Sequence, residues 1–365
     1  MSAVRNLDGF VAPGYEAVRE AFAARPSGGS ALSVLRHGEP VVDLREGWAD
    51  AARTRPWDAN TLVNVYSVGK PVIALAVLML VERGLVGLDD PLARHWPGFR
   101  AEATVRQVLT HTSGLATFPV PRDASAWADW ALLCEDLAGA SPEWDPGTVA
   151  AEHALTYGHL LGELVRRVDG RTPGVFVAAE IAGPWGLDLG FGLGRADLGR
   201  CAELEFDAPD WPARMLGEPG SVHARAVSNP TGARDLAVVN SELWRTAVVP
   251  AVNLHATAPA LARFYAGLLG GGVLAGNRLL SRELVEEFTA THFTGVDLFI
   301  GSLTRWGLGV QIEEDGTWGM GGLGGNAAWA DPAGGHAISY VTRRLGDFDR
   351  VSALDSSIAT VRLLS

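Results

Sequence analysis

Ser67 and Lys70 stand three positions apart in the segment VYSVGKPV, and Lys70 is the only lysine among the 30 lysine and arginine residues. Side chains at positions i and i+3 of a helix lie on the same face and within contact distance. Pro71 fits a helix that begins near Ser67, because proline is tolerated in the first turn. The spacing therefore predicts a serine hydroxyl beside a lysine amine at the positive end of a helix, where developing negative charge is stabilised.

The choice of lysine at this position indicates proton transfer. Burial can lower the pKa of an amine toward neutrality, so that a desolvated lysine can accept a proton, whereas the guanidinium of arginine stays protonated. A chain that uses arginine at every other basic position needs lysine only where a titratable nitrogen matters. We therefore predict that Ser67 is a nucleophile and Lys70 its base. The alternative is a single surface lysine without a function.

Length and charge limit the classes of function. The 365 residues suffice for one large domain or two closely packed ones, and 47% hydrophobic residues exclude a disordered chain. A net charge of −12 argues against nucleic acid or an anionic membrane as a partner. We expect a cytoplasmic enzyme for a small-molecule substrate, with no signal peptide or membrane span, no metal and no other cofactor. The sequence leaves the oligomeric state open.

Apolar periodicity predicts an α+β protein. A helix is expected over residues 9–24, and the turn around His37–Pro40 predicts a β-hairpin. Residues 72–269 are dominated by helical patterns, and strands return near the C-terminus before a final helix. Strands far apart in sequence must then join one antiparallel sheet, with the helical region inserted between them. Further helices are predicted over Val105–Leu109, Trp127–Leu137, Tyr157–Val168 and Ala258–Leu268.

The surroundings of Ser67 and Lys70 resemble the serine β-lactamase and penicillin-binding protein superfamily, in particular its class C β-lactamase-like and family VIII carboxylesterase branch. The resemblance covers nearly the whole chain and includes LVERGLVGLDDPLARHWPGF, TVRQVLTHTSGL and GGNAAWADPAGGHAISYV. It implies a β-lactamase/transpeptidase-like fold, with a sheet domain (1–66 and 235–365), a mainly helical domain (67–234) and the active site in the cleft between them. It also implies an acyl-enzyme on Ser67, with the backbone amides of Ser67 and Leu323 as the oxyanion hole.

Two motifs of the family are altered. Where the family has a tyrosine, alignment on Pro146–Thr148 places Glu152, followed by His153. Glu152 is then a general base, a salt-bridge partner of Lys70 or the sign of a disabled site. His153 is an alternative proton carrier, because imidazole titrates near neutrality, and a candidate substrate-binding residue. Tyr157 is a weaker substitute.

The third family motif, normally Lys-Thr-Gly or His-x-Gly, is replaced by Met320-Gly321-Gly322. A thioether cannot orient a substrate carboxylate as a cation does, so we do not expect a true β-lactamase. The glycines fit a strand edge that a ligand approaches closely. Residues Gly319 to Gly324 match G-x-G-x-x-G, but no helix is predicted after them, which argues against a dinucleotide site. Asn253 and His255 are expected either to contact substrate or to brace the cleft.

These residues predict a serine hydrolase or acyltransferase that acts through a Ser67 acyl-enzyme on an ester, thioester or amide. The altered motifs favour a specialised substrate, with a role in secondary metabolism. One alternative is a non-catalytic fold that binds a small molecule, with Glu152 holding Lys70 protonated. Another is acid/base catalysis by Glu152 or His153 without an acyl-enzyme.

Overall fold

A nine-stranded antiparallel sheet forms the centre of the computed structural model, which describes the backbone of residues 6–364 and the side chains of residues 6–360. The strands are β1 (Asp8–Val11), β2 (Gly29–Arg36), β3 (Glu39–Gly47), β4 (Val63–Asn64), β5 (Leu189–Gly190), β6 (Glu205–Phe206), β7 (His255–Ala256), β8 (Val273–Leu274), β9 (Asn277–Arg278), β10 (Phe293–Val296), β11 (Leu303–Trp306), β12 (Gln311–Ile312), β13 (Trp318–Gly322), β14 (Asn326–Asp331), β15 (His336–Thr342) and β16 (Arg344–Leu345). The large sheet has the order β1-β3-β2-β15-β14-β13-β12-β11-β10, so both ends of the chain contribute to it, as the sequence predicts.

The helices fill the sequence between these strands. They are α1 (Glu16–Ala24), α2 (Lys70–Glu82), α3 (Leu92–His95), α4 (Val105–Leu109), α5 (Trp130–Ala138), α6 (Tyr157–Asp169), α7 (Pro173–Val177), α8 (Gly183–Trp185), α9 (Trp211–Arg214), α10 (Val222–Ala226), α11 (Leu236–Val239), α12 (Glu242–Thr246), α13 (Ala258–Leu269), α14 (Arg282–Thr289) and α15 (Asp349–Leu364). Among residues 6–364, none of the helices combines the length and the apolar character that crossing a bilayer requires.

The sheet is covered on both faces. Leu32 and Val34 of β2 pack in one apolar layer with residues of α1 and α15, whereas Ala31 and Leu35 belong to the main core. This alternation follows from the pleat of a strand, which points successive side chains to opposite faces. α13 packs against β2, β14 and β15, and α2 lies deeper, with every residue from Lys70 to Leu80 buried. A helix that is apolar on all sides is typical of a core position.

Two predicted helices differ from the structure. The expected helix over residues 9–24 is wrong for its first part, because residues 8–11 form β1 and the helix begins at Glu16. Gly9 has φ +109, and a Cβ there would lie 1.9 Å from the Asp43 carbonyl oxygen of β3, a close approach that only glycine permits. The predicted helix over 127–137 is a 3₁₀ turn (Ala124–Ala128) followed by α5. The boundaries of the two domains stay predictions.

Candidate active site

The backbone before Ser67 aims the serine into a cavity. Val65 donates its N–H to the Leu254 carbonyl at 2.9 Å, beside the β4–β7 pair. Tyr66 then adopts φ 50 and ψ −129, a conformation that an aromatic residue rarely holds. Such strain persists only where the surrounding structure fixes it, and it clusters at functional sites. The 3₁₀ turn Ser67–Gly69 follows and leads directly into α2, as the position of Pro71 predicts.

Strand β13 passes against this backbone at its last residue. A Cβ on Gly322 would lie 2.2 Å from the Val65 carbonyl oxygen, so glycine is required for the strand to come this close. This corrects the expectation that a ligand makes the approach at this glycine, since the close neighbour is the protein backbone. The contact carries Leu323 into the wall of the cavity that contains Ser67, so both residues of the expected oxyanion hole border the same cavity.

Lys70 is completely buried and has four polar neighbours. Its Nζ lies 2.6 Å from Ser67 Oγ and 2.9 Å from Glu152 Oε1, and 3.2 Å from the carbonyl oxygens of both Ala154 and Ala251. Burial lowers the pKa of Lys70, because the charged amine loses its hydration, and the Glu152 carboxylate partly reverses this effect. The structure thus brings together the three residues that the sequence selected as catalytic, and Glu152 is the salt-bridge partner of Lys70.

The number of protons on Lys70 decides what these contacts can do. An ammonium group has three N–H donors, and Glu152 and the two carbonyls can accept all of them. Ser67 Oγ is the fourth neighbour, and its hydroxyl proton can move to Nζ only after Nζ has given a proton away. Glu152 is the neighbour that can receive one. The geometry therefore links Ser67, Lys70 and Glu152 in a chain along which a proton can shift.

Asp297 holds the Glu152 backbone and was not identified from the sequence. This carboxylate is fully buried. Its Oδ1 accepts hydrogen bonds from the backbone N–H groups of Glu152, Phe299 and Ile300, and its Oδ2 accepts one from the indole N–H of Trp306. One side chain thereby fixes the base of the Glu152 side chain and the loop after β10. Asp297 follows directly after an edge strand, and the sequence gives no signal that distinguishes it from a turn residue.

His153 lies beside Glu152 in sequence but is completely buried and does not line the cavity. Its Nδ1 donates a hydrogen bond to the Ala151 carbonyl at 2.7 Å, so Nε2 accepts a hydrogen bond from the Ser113 hydroxyl at 2.6 Å. Its backbone N–H donates to Nδ1 of His111, which lies in the LTHTSGL segment. The predictions that His153 binds substrate or carries a proton are therefore wrong, because both ring nitrogens are committed inside the core.

Asn253 and His255 also lie outside the cavity lining. The Asn253 side chain accepts the Val249 N–H and donates to the carbonyls of Trp244 and Ala247, which shapes the loop whose Ala251 carbonyl contacts Lys70. His255 is buried, with Nδ1 against the Asn253 carbonyl. Asn253 and His255 were expected either to brace the cleft or to contact substrate. Their hydrogen bonds fit the bracing role and do not fit direct substrate binding.

The cavity above Ser67 has a volume of about 230 Å³ and mostly apolar walls. Met320, Gly321, Gly322 and Leu323 form one side of it, as the sequence predicts. This volume is below the usual range of about 300–1,000 Å³ for drug-sized ligands, which favours a small substrate. Tyr66 and Arg234 also line the cavity, and no sequence pattern distinguishes either of them.

Buried histidines make the fold sensitive to acid. Burial lowers the pKa of His153 to about 4 and those of His159 and His255 to about 3. In the unfolded chain these groups take up protons near pH 6.5, so each contributes stability that is complete above that pH and is lost as the pH falls. Burial also lowers the pKa of His111 well below its usual value, so four such groups should together lower the free energy of unfolding by about 5 kcal/mol between pH 6 and 5.

Urea unfolding at pH 7, 6 and 5 measures this slope. His159 stacks on Trp130 and neither of its ring nitrogens has a hydrogen-bond partner, so His159→Leu removes a titrating group without breaking a hydrogen bond. The variant should show a slope about one quarter smaller. A free energy of unfolding that is constant over this range would contradict the expectation.

Comparisons with known proteins agree with this geometry. The family model described as Beta-lactamase matches residues 16–361. Esterase/beta-lactamase LipL of Mycobacterium tuberculosis is 34% identical over 371 residues, which cover 93% of this chain and 84% of that protein. Esterase EstB of Burkholderia gladioli is 34% identical over 209 residues, or 51% of this chain and 52% of that protein.

Two solved structures extend the likeness to the whole fold. The crystal structure of a family VIII carboxylesterase has a TM-score of 0.88 and 30% identity, and covers 98% of this chain and 100% of that one. A penicillin-binding protein homolog from Caulobacter crescentus has a TM-score of 0.86 and 33% identity, with the same coverage. The SxxK segment, the antiparallel sheet and these matches together lead to one conclusion: the chain belongs to the β-lactamase family.

Proposed function

We propose that the protein is an esterase-like serine hydrolase that forms an acyl-enzyme on Ser67. The observation that carries the proposal is the 2.6 Å distance between Ser67 Oγ and the buried Lys70 Nζ at the base of an apolar cavity. The names of the relatives LipL and EstB, and the carboxylesterase structure, support ester chemistry. A cytoplasmic location and a role in secondary metabolism stay predictions.

The contacts of Lys70 define the proton transfers. Lys70 gives a proton to Glu152 and takes the hydroxyl proton of Ser67, while Ser67 Oγ attacks the ester carbonyl. The backbone amides of Ser67 and Leu323 receive the developing oxyanion. When the C–O bond breaks, Lys70 gives a proton to the departing alcohol, and the proton on Glu152 returns to Lys70. Water then attacks the acyl-enzyme by the same route and releases the acid, whereas an alcohol or amine acceptor would give acyl transfer.

We propose an ester substrate in preference to a β-lactam. The residue on β13 that would be a lysine or histidine is Met320, which lies in the cavity wall and carries no charge. A cavity of about 230 Å³ favours a small acyl group.

A second candidate function rests on the same ion pair. If the carboxylate of Glu152 keeps Lys70 protonated throughout, Ser67 has no base and the chain is a binding protein built on a catalytic fold. The two candidates differ in one property, the nucleophilicity of Ser67.

Labelling with a fluorophosphonate tests the proposal. We expect one adduct per chain by intact-mass measurement, located on Ser67 by peptide mapping and absent in Ser67→Ala. Ser339 is the matched control, because it is buried in β15 and its hydroxyl has no hydrogen-bond partner within the described residues. Ser339→Ala should label as the wild type does. A wild-type protein that stays unlabelled and also releases no p-nitrophenol from p-nitrophenyl butyrate would contradict the hydrolase and favour the binding protein.

A further inference from the structure

An arginine without an acidic partner lines the cavity beside the nucleophile. Arg234 is half-buried, and residues 6–360 offer it no carboxylate within ion-pair distance. Its neighbours in the same part of the chain behave differently: Arg225 pairs with Glu143 and Arg214 with Asp210. Burial lowers the pKa of the Arg234 guanidinium, because the charge is desolvated without a nearby anion to offset the loss. The folded protein therefore carries an uncompensated cation in its cavity.

A second polar group in the same cavity lacks a partner. Tyr66 is 1% exposed, and its hydroxyl has no hydrogen-bond partner among the described residues. Burial raises the pKa of this phenol, and the nearby charge of Arg234 opposes the rise, so the two groups act on each other electrostatically. A buried hydroxyl without a partner is costly, so its presence in a ligand cavity indicates that a ligand supplies the acceptor.

Other polar side chains of the cavity have partners within the protein. Glu152 is neutralised by Lys70 at 2.9 Å. His223 places its two ring nitrogens 3.0 Å from the carbonyl oxygens of Phe299 and Met215. Arg234 and Tyr66 are thus left as an unmatched cation and an unmatched donor in walls that are otherwise apolar. A carboxylate, with negative charge and several acceptor positions, satisfies both.

We propose that Arg234 and Tyr66 form a subsite for a carboxylate at the end of the substrate's acyl chain, so that the preferred substrate is a monoester of a short dicarboxylic acid. The inference rests on the proposed ester hydrolysis and names its substrate class. Tyr66 directly precedes Ser67, and apolar residues such as Val227 and Val252 line the cavity along with both groups. A short methylene spacer between the scissile carbonyl and the carboxylate matches such walls.

A pair of chromogenic esters tests the subsite. Mono-4-nitrophenyl adipate carries the carboxylate, and 4-nitrophenyl 6-methylheptanoate replaces it with an isopropyl group of the same shape. We expect the wild type to favour the adipate ester in kcat/KM. Arg234→Gln should lower the ratio of the two kcat/KM values by about 30- to 100-fold, and Tyr66→Phe by about 5- to 10-fold. Arg234→Lys should restore part of the ratio, because the charge is kept.

Arg195→Gln is the control for the loss of a positive charge, since Arg195 is 89% exposed and contributes nothing to the cavity. It should leave the ratio at the wild-type value. A wild-type preference for the neutral ester would overturn the proposal. An equal loss of activity toward both esters in Arg234→Gln would also overturn it, since that pattern means a structural role.

Binding to an inactive variant separates this subsite from the proposed reaction. Monomethyl adipate should bind Ser67→Ala in a calorimetric titration, with a Kd that rises at least 30-fold when Arg234→Gln is added. If no ester is hydrolysed but this binding holds, the proposed hydrolysis fails and the subsite stands. If both esters are hydrolysed and monomethyl adipate binds equally well with and without Arg234, the hydrolysis stands and the subsite fails.

Discussion

Lys70→Arg is expected to lower kcat/KM for a p-nitrophenyl ester by about 10³- to 10⁴-fold, although it conserves the charge. The substitution keeps a cation beside Glu152 and Ser67, so a purely electrostatic role of Lys70 would survive it in part. A guanidinium, however, stays protonated at any pH at which the protein is folded and cannot accept the serine proton. The expected loss therefore measures proton transfer separately from charge.

The arginine side chain is larger than the space that Lys70 fills, so a second variant guards against misfolding. Lys70→Met matches the length of the side chain and removes both charge and base. It should lose activity to the same degree, at the cost of an unpaired Glu152 that lowers stability by about 3–5 kcal/mol. Thermal unfolding of both variants checks the fold. Retention of a tenth or more of the wild-type kcat/KM in a folded Lys70→Arg protein would show that Lys70 is not the base.

Glu152→Gln is expected to lower kcat/KM by about 10²- to 10³-fold. Glutamine keeps the volume and can still accept a hydrogen bond from Lys70, and Asp297 still holds the backbone N–H at this position. Glutamine cannot take a proton, so the proton path from Ser67 through Lys70 has no final proton acceptor. The rate of fluorophosphonate labelling should fall together with kcat/KM, because both depend on removal of the Ser67 proton.

An increase in Ser67 labelling in Glu152→Gln, in place of the expected decrease, would identify the binding-protein alternative. The Glu152 carboxylate raises the pKa of Lys70 against the effect of burial, so its removal leaves the amine more often neutral. If Glu152 only inhibits Lys70, Glu152→Gln should increase labelling of Ser67, most clearly below pH 7. Glu152→Tyr restores the residue type that the family resemblance implies at this position, and it should recover part of the activity that Glu152→Gln loses.

The features that follow from local spacing were predictable from the sequence. Ser67 and Lys70 meet because side chains three residues apart on a helical turn lie on the same face, and the 3₁₀ turn Ser67–Gly69, which leads into α2 at Lys70, has that geometry. The His37–Pro40 turn joins β2 and β3 as its residue types indicate. The G-x-G-x-x-G match at Gly319–Gly324 is followed by the hairpin partner β14, so the prediction that no helix follows it is confirmed.

The features that depend on long-range contacts were not predictable. Gly9 looked like the start of a helix, because its contact with Asp43 in β3 is invisible in a local window. His153 looked like a proton carrier until its two ring nitrogens were found paired with Ala151 and Ser113. Arg234 became notable only through what it lacks, a carboxylate within reach among the described residues. A missing partner can be recognised only in three dimensions.

The complete burial of the only lysine has a practical consequence for measuring how the active site opens. An amine-specific reagent such as an N-hydroxysuccinimide ester finds no accessible ε-amino group in the native protein, because Lys70 has no exposed surface. In Ser67→Ala, where the reagent cannot acylate the nucleophile, acylation of Lys70 therefore reports the rare molecules whose active site has opened, and its rate is the intrinsic rate multiplied by their population. The rate at which this one peptide gains mass thus measures how often the active site opens, with a native residue as the reporter.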